Sequence, residues 1–307
     1  MKFKLTTGAI ASVLILIVAG VAFVLWTEAS LAIHKFGLTF WQTSTWDPVS
    51  GDFGAAPFIW GTLYSSLLAL VIATPIAIGI AIFLSDWCPP SLRTPLVFLT
   101  ELLAAIPSIV YGLWGIFVMV PAVRQFQMAL PDWIRAMPLF SGPAVGVNMF
   151  SAALILAIMI IPFTSSVARE VLKSVPPSQR EAAYALGATR WEATQVTLFY
   201  ARTGIVGAIM LGFGRALGET MAVTMVIGNT PQIKWSLFAP QYTMAAVIAN
   251  EFSEAADQLH LDSLVEIGLV LFVITFLVNL GSRALIWRMT RAPKMKARAA
   301  VPAKEAA

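Results

Sequence analysis

The chain has 307 residues, 58% of them apolar and 12% charged, which is about half the roughly 25% charged share of a soluble domain. Its net charge is +4, with one cysteine and two histidines, so neither a disulfide framework nor a Cys/His metal site can be assembled from it. Apolar runs of about 20 residues, the helical length that crosses a hydrocarbon core of about 30 Å, recur along the chain without strand-period alternation. These features predict an all-α integral membrane protein with six transmembrane helices.

The first run, residues 8–25, follows Lys2 and Lys4. Its apolar core of about 18 residues exceeds the about 7–15 of a signal peptide and is read as an uncleaved span. Residues 1–57 then form an N-terminal helix and a first outward segment. There Trp41 and Trp46, with Trp60 nearby, have the character of membrane-interface anchors, and His34, like His260 farther on, reads as a solvated or locally bonded side chain. The second run is 58–84, and Cys88 falls in the loop after it. The third, 96–120, carries Glu101 about 9 Å from its near end at the helical rise, and the fourth is 144–167.

Residues 175–202, VPPSQREAAYALGATRWEATQVTLFYAR, follow the fourth run. Ser178 and Glu181 have capping-box spacing just after Pro176 and Pro177, Gly187 suits a left-handed helix stop, and Thr189 with Glu192 offers a second box. This predicts two short helices joined by a glycine turn within a loop of about 169–202.

The fifth run, 204–227, contains GFGRALGETMAV. From a start at Gly204, Arg215 lies about 16 Å deep and Glu219 about 22 Å. Charges so placed are costly in lipid and mark a functional site. Two readings of the pair stand open. In one, the planar Arg215 fork meets a passing anion and Glu219, one turn away, orients it. In the other, the two form an architectural ion pair. Glu101 is a third intramembrane charge, a partner for Arg215 or for a residue of a partner subunit. Glycines 204, 207, 212, 214 and 218 suit close helix packing and a narrow pore alike. Within the outward segment 228–262, residues 242–259 have helical periodicity and are expected on the membrane surface or against a partner protein. The sixth run is 263–287, and 291–307 form a basic tail.

Lysine and arginine divide 15 to 4 between the two sets of connecting segments, which places both termini in the cytoplasm. That asymmetry explains the net charge without a nucleic-acid partner. There is no Walker-type glycine loop and no nucleophile elbow, so any ATP hydrolysis belongs to a separate subunit and no catalytic residue, cofactor or metal site is expected in this chain.

Glu181-Ala182-Ala183 followed by Gly187 resembles the EAA loop of permeases in ATP-binding-cassette (ABC) importers of the MetI-like family. Thr197-Leu198-Phe199-Tyr200 stands where that family has Ile-x-Leu-Pro. Residues 101–112 (ELLAAIPSIVYG), 158–162 (IMIIP) and 214–223 (GRALGETMAV) resemble PstC-type phosphate permeases, and the likeness runs from about residue 46 to 288. The resemblance implies a type I importer fold over 58–290 and a multi-pass protein of the bacterial inner membrane. It implies ATPase docking through Glu181, Ala182, Ala183 and Gly187, and a phosphate pathway through Arg215, Glu219 and Glu101. The implied partners are a sister permease, two ATP-binding subunits and a periplasmic phosphate-binding protein. Sulfate or molybdate permeases are the nearest alternatives, and only the match around Arg215 and Glu219 separates them. A secondary transporter would often show paired repeats in one chain, which are not detected. A sensor or enzyme would need a catalytic constellation or an output domain, and neither is present.

Overall fold

The computed structural model describes residues 2–290; the basic tail 291–307 lies outside them. The chain opens with α1 (Lys2–Glu28), α2 (Ser30–Phe36) and a 3₁₀ turn (Gly37–Trp41). A short antiparallel ribbon follows, β1 (Trp46–Asp47) on β2 (Asp52–Phe53), with Trp46 opposite Phe53. Next come α3 (Ala56–Ile82) with a π-helical end (Phe83–Trp87), α4 (Pro90–Ala105), α5 (Ser108–Trp114), a second π-helical turn (Gly115–Met119), α6 (Val120–Ala129) and α7 (Asp132–Arg135). The remaining elements are α8 (Met149–Lys173), α9 (Pro177–Ala185), α10 (Arg190–Leu217), α11 (Met221–Thr224), α12 (Met244–Glu251) and α13 (Gln258–Thr290).

Six helical stretches among the described residues are long and apolar enough to cross a membrane, the number predicted, and the protein is a multi-pass membrane protein. Two of the predicted spans are differently placed. The third breaks at Ile106, whose extended backbone precedes Pro107, because the proline ring disfavours a helical predecessor; the crossing stretch is Ser108–Ala129, and Glu101 belongs to the separate helix before it. The fifth helix starts at Arg190, 14 residues before the predicted start at 204, and stops at Leu217 rather than continuing to 227. It begins early because the Thr189 capping box forms, Thr189 Oγ1 accepting from the Glu192 amide while Glu192 accepts from the Thr189 amide at 2.7 Å.

The central helix is α8, packed against α3, α4 and α10. Ala69, Ala73, Ile155, Leu156, Ile160 and Val223 form the main core. Small residues set the spacing. A Cβ on Gly204 would meet Val171 Cγ1 at 2.5 Å, and one on Gly212 would collide with Thr164 Oγ1, so these two glycines let α10 lie on α8. Gly207 and Gly214 have ordinary room, and Gly218 faces open space.

The two ends of the bundle differ. At the cap end, the ribbon, α12 and the start of α13 enclose Phe40, Phe53, Phe58, Tyr242 and Met244. Trp46, partly buried, packs edge-on against Phe53 and Phe58 and donates Nε1–H to Glu251 Oε2 at 2.8 Å, which fixes it on the core of the cap. The helix predicted over 242–259 is shorter: α12 is eight residues long and its first four are buried in the cap. At the hairpin end, α9 folds back on α10, and Ala168, Leu172, Val175, Ala201 and Ile205 form a smaller core beneath it.

Candidate functional site

The site at the middle of the bundle is made by two breaks. α4 ends at Ala105, ahead of Ile106-Pro107, and α10 ends at Leu217, after which Gly218 to Thr220 bridge to α11. The segments beyond the breaks touch: a Cβ on Gly112 in α5 would lie 3.1 Å from Ala222 Cα in α11. Interrupted helices leave backbone groups without intrahelical partners at membrane depth, which is tolerated where they are buried in protein or line a cavity. A cavity of about 280 Å³ lies beside the first break, lined by Ile106, Val110, Tyr111, Trp114 and Ile158.

Arg215 sits in the last turn of α10, where a cation is favourably placed against the free carbonyls. Its side chain is exposed in the single chain, and the guanidinium carbon lies 5.5 Å from the centre of the Phe163 ring. Glu219 lies past the helix end rather than one helical turn on, is half-buried, and accepts from the Ala222 amide at 3.3 Å at the start of α11. None of the ion pairs found among the described residues joins Arg215 to Glu219 or to Glu101. Glu101 instead accepts from Arg169 Nη2 at 3.4 Å.

Arg169 is the residue that sequence reasoning missed here. It is 5% exposed, also pairs with Glu170 at 2.7 Å, and keeps an unpartnered Nε. Ending the fourth span at residue 167 assigned it to a loop, whereas α8 continues to Lys173 and holds it buried within the bundle. A helical periodicity run on through 168–173 would have found it.

The hairpin is the second site. Ser178 and Glu181 do not form the predicted box, because α9 starts on Pro177 with no side-chain cap. The glycine stop is as predicted, but the second short helix is not separate: the Thr189 cap opens the 28-residue α10, which runs straight on into the fifth span. Gly187 has φ +82°, its amide bonds Tyr184 O at 2.9 Å, and the Ala188 amide bonds Ala183 O at 3.0 Å, the paired reverse bonds of a Schellman stop. Glu181, Ala182 and Gly187 are exposed and Ala183 faces inward. Tyr184 and Leu186 are open to the outside, Leu186 at 90%. The hairpin is fastened to the end of α3: Arg180 Nη2 lies 2.6 Å from Asp86 Oδ1, Arg180 Nε donates to Thr197 Oγ1 at 3.0 Å, and Arg190 donates to Asp86 O at 2.6 Å while lying 4.6 Å from the Trp87 ring.

Broken membrane helices around a cation with no anionic partner among the described residues, with a hairpin fastened to the bundle at one end, define a membrane transport subunit. Residues 73–291 match the model of the family described as "Binding-protein-dependent transport system inner membrane component", and the chain belongs to that family. It is thus a permease subunit of the ABC-importer type, with the helical fold predicted for it. It is 46% identical over 293 residues to the phosphate transport system permease protein PstC of Mesorhizobium japonicum, covering 94% of this chain and 90% of that one. It is 47% identical to PstC of Haemophilus influenzae, covering 94% and 93%. A probable PstC of Methanocaldococcus jannaschii is 40% identical over 91% of each chain. Among solved structures, a chain of the inward-facing MetNI methionine ABC transporter is similar with a TM-score of 0.58 at 16% identity, over 76% of this chain and 95% of that one, which is a likeness of fold.

Proposed function

We propose that the chain forms one half of a pathway for inorganic phosphate in the bacterial inner membrane, completed by a sister permease and driven by two ATP-binding subunits. The observation that carries this is the combination of 46% identity to a phosphate permease over nearly the whole chain with an arginine that has no anionic partner among the described residues at a break between membrane helices. Arg215 presents a fixed, planar set of donors that matches phosphate oxygens. Its exposure on one side of the single chain suits a site shared with the sister permease. Glu219 holds the start of α11, and Glu101 with Arg169 lines the route toward the hairpin end.

The hairpin end lies in the cytoplasm with both termini, in keeping with the lysine and arginine count, and the ATP-binding subunits grip α9 through Glu181, Ala182, Gly187 and the exposed Tyr184 and Leu186. The cap end faces the periplasm, where the phosphate-binding protein delivers its cargo. The test is reconstitution with the partner subunits and the binding protein: phosphate stimulates ATP hydrolysis and accumulates inside, whereas sulfate and molybdate do neither. Equal stimulation by sulfate or molybdate would overturn the substrate assignment.

A further inference from the structure

Another ionisable group lies within a membrane span, on a helix that contains neither break. Glu266 is eight residues into α13, about 12 Å from its start at the helical rise. It is 3% exposed, its Oε2 has no hydrogen-bond partner, and none of the ion pairs among the described residues includes it. Asp262, one turn nearer the cap, is satisfied in contrast: it accepts from the Leu31 amide at 3.2 Å and from Gln258 Nε2 at 2.7 Å. An ionisable group buried in a span with an oxygen left unpartnered is costly and points to a functional role.

Glu266 lines a cavity of about 350 Å³ between α13, the end of α1 and the 3₁₀ turn after α2. Leu269, Val270 and Val273 extend its wall along the same face of α13, at positions three, four and seven residues on, and Trp26 and Trp41 line the other side. The order along the face is therefore a carboxylate and two indoles near the cap, then an apolar lane running toward the middle of the bundle. A carboxylate beside two tryptophans favours an ammonium group over an anionic headgroup and leaves the lane for hydrocarbon. The cavity opens to lipid, since α1 packs mainly against α13 and α2, none of its most apolar stretch is buried, and Trp26 is 59% exposed.

We propose that this cavity holds the headgroup of an ethanolamine phospholipid, its ammonium on the Glu266 carboxylate between Trp26 and Trp41 and an acyl chain along Leu269, Val270 and Val273. The lipid then joins α1, the least buried of the six spans, to the rest of the bundle. The inference does not depend on which anion the permease carries.

The test is native mass spectrometry of the purified permease complex after equilibration with three phospholipids of matched chains: ethanolamine, N-acetyl-ethanolamine and glycerol headgroups. The ethanolamine lipid is retained roughly tenfold better than either other lipid, the size of effect expected for one desolvated ammonium contact. Glu266→Gln lowers its retention to the level of the N-acetyl lipid, and Val273→Trp, which fills the lane without touching the carboxyl, also releases it. Equal retention of all three lipids by the parent complex would overturn the proposal, as would full retention by an assembled Glu266→Gln variant. If that variant fails to assemble, the comparison of headgroups on the parent complex decides the matter alone.

Discussion

Removing Arg180 separates the hairpin from the bundle at one defined point. The Asp86 side chain is 8% exposed and that of Arg180 31%, so Arg180→Met strips the cation from a nearly buried carboxylate while keeping much of the aliphatic stem. Breaking a fully buried pair costs about 3–5 kcal/mol. Partial exposure of Arg180 and the remaining Arg190 bond to the Asp86 carbonyl lower that to about 2 kcal/mol, or roughly a thirtyfold rise in the population of the detached hairpin. Hydrogen exchange of the purified protein in lipid nanodiscs reads this directly. Amides of α9 exchange roughly thirtyfold faster in the variant, while those of α8 between Ile155 and Ile160 keep their rates. Asp86→Asn loosens the hairpin too, and the double variant Asp86→Asn/Arg180→Met costs less than the sum of the two single changes, because each leaves the other partner stranded. Unchanged exchange in α9, or strict additivity, refutes the claim that this pair fastens the hairpin.

Gly187→Val forces a β-branched residue into φ +82°, so it distorts the turn and uncouples uptake from ATP hydrolysis while the ATP-binding subunits still co-purify; normal uptake with those subunits bound would refute the docking role. Reporter fusions after Val175 and after Asn250 place the first in the cytoplasm and the second in the periplasm, and the reverse pattern overturns the orientation. Burial pushes the Tyr242 phenol up to about 12, helped by Glu251 and Glu254 and opposed by the Asn250 hydrogen bond. With a folded value above the ordinary 10, the neutral phenol stabilises the cap fully below pH 10, and that contribution is lost as pH rises toward about 12. Thermal unfolding of Tyr242→Phe therefore declines less than the parent between those limits, and parallel curves would count against it.

Much of the fold was legible because lipid leaves the chain few choices. Each span must satisfy its own backbone, so length and hydropathy alone mark where α1, α3, α8 and α13 cross. The two breaks were hidden for the same reason, since Ile106-Pro107 and the stretch from Gly218 to Thr220 sit in apolar sequence that reads as continuous helix. Pro107 was the local signal for the first; at the second, Gly218 fits either a helix end or close packing. The hairpin was readable at Gly187 and Thr189, whose turn and cap chemistry are local. The Arg180 and Arg190 contacts to Asp86 were not, because they join segments about 100 residues apart, and periodicity carries no information on such pairings. Placing Glu219 beyond the helix end also changes the reading of the charged motif: four residues of separation make a pair only where a helix continues through them.

The central claim is that Arg215 meets the anion, and exchanging the charges tests it most directly. Arg215→Glu with Glu219→Arg keeps both charges but moves the guanidinium past the end of α10. Uptake of labelled phosphate is measured in cells carrying the partner subunits, with assembly checked by co-purification. The account predicts that the exchanged variant and Arg215→Gln assemble normally yet take up no phosphate, and that Arg215→Lys, which keeps the charge and loses the fork, retains a fraction of parent uptake. Uptake restored to near the parent rate by the exchange would contradict it, showing that the two charges serve architecture and that Arg215 does not touch phosphate.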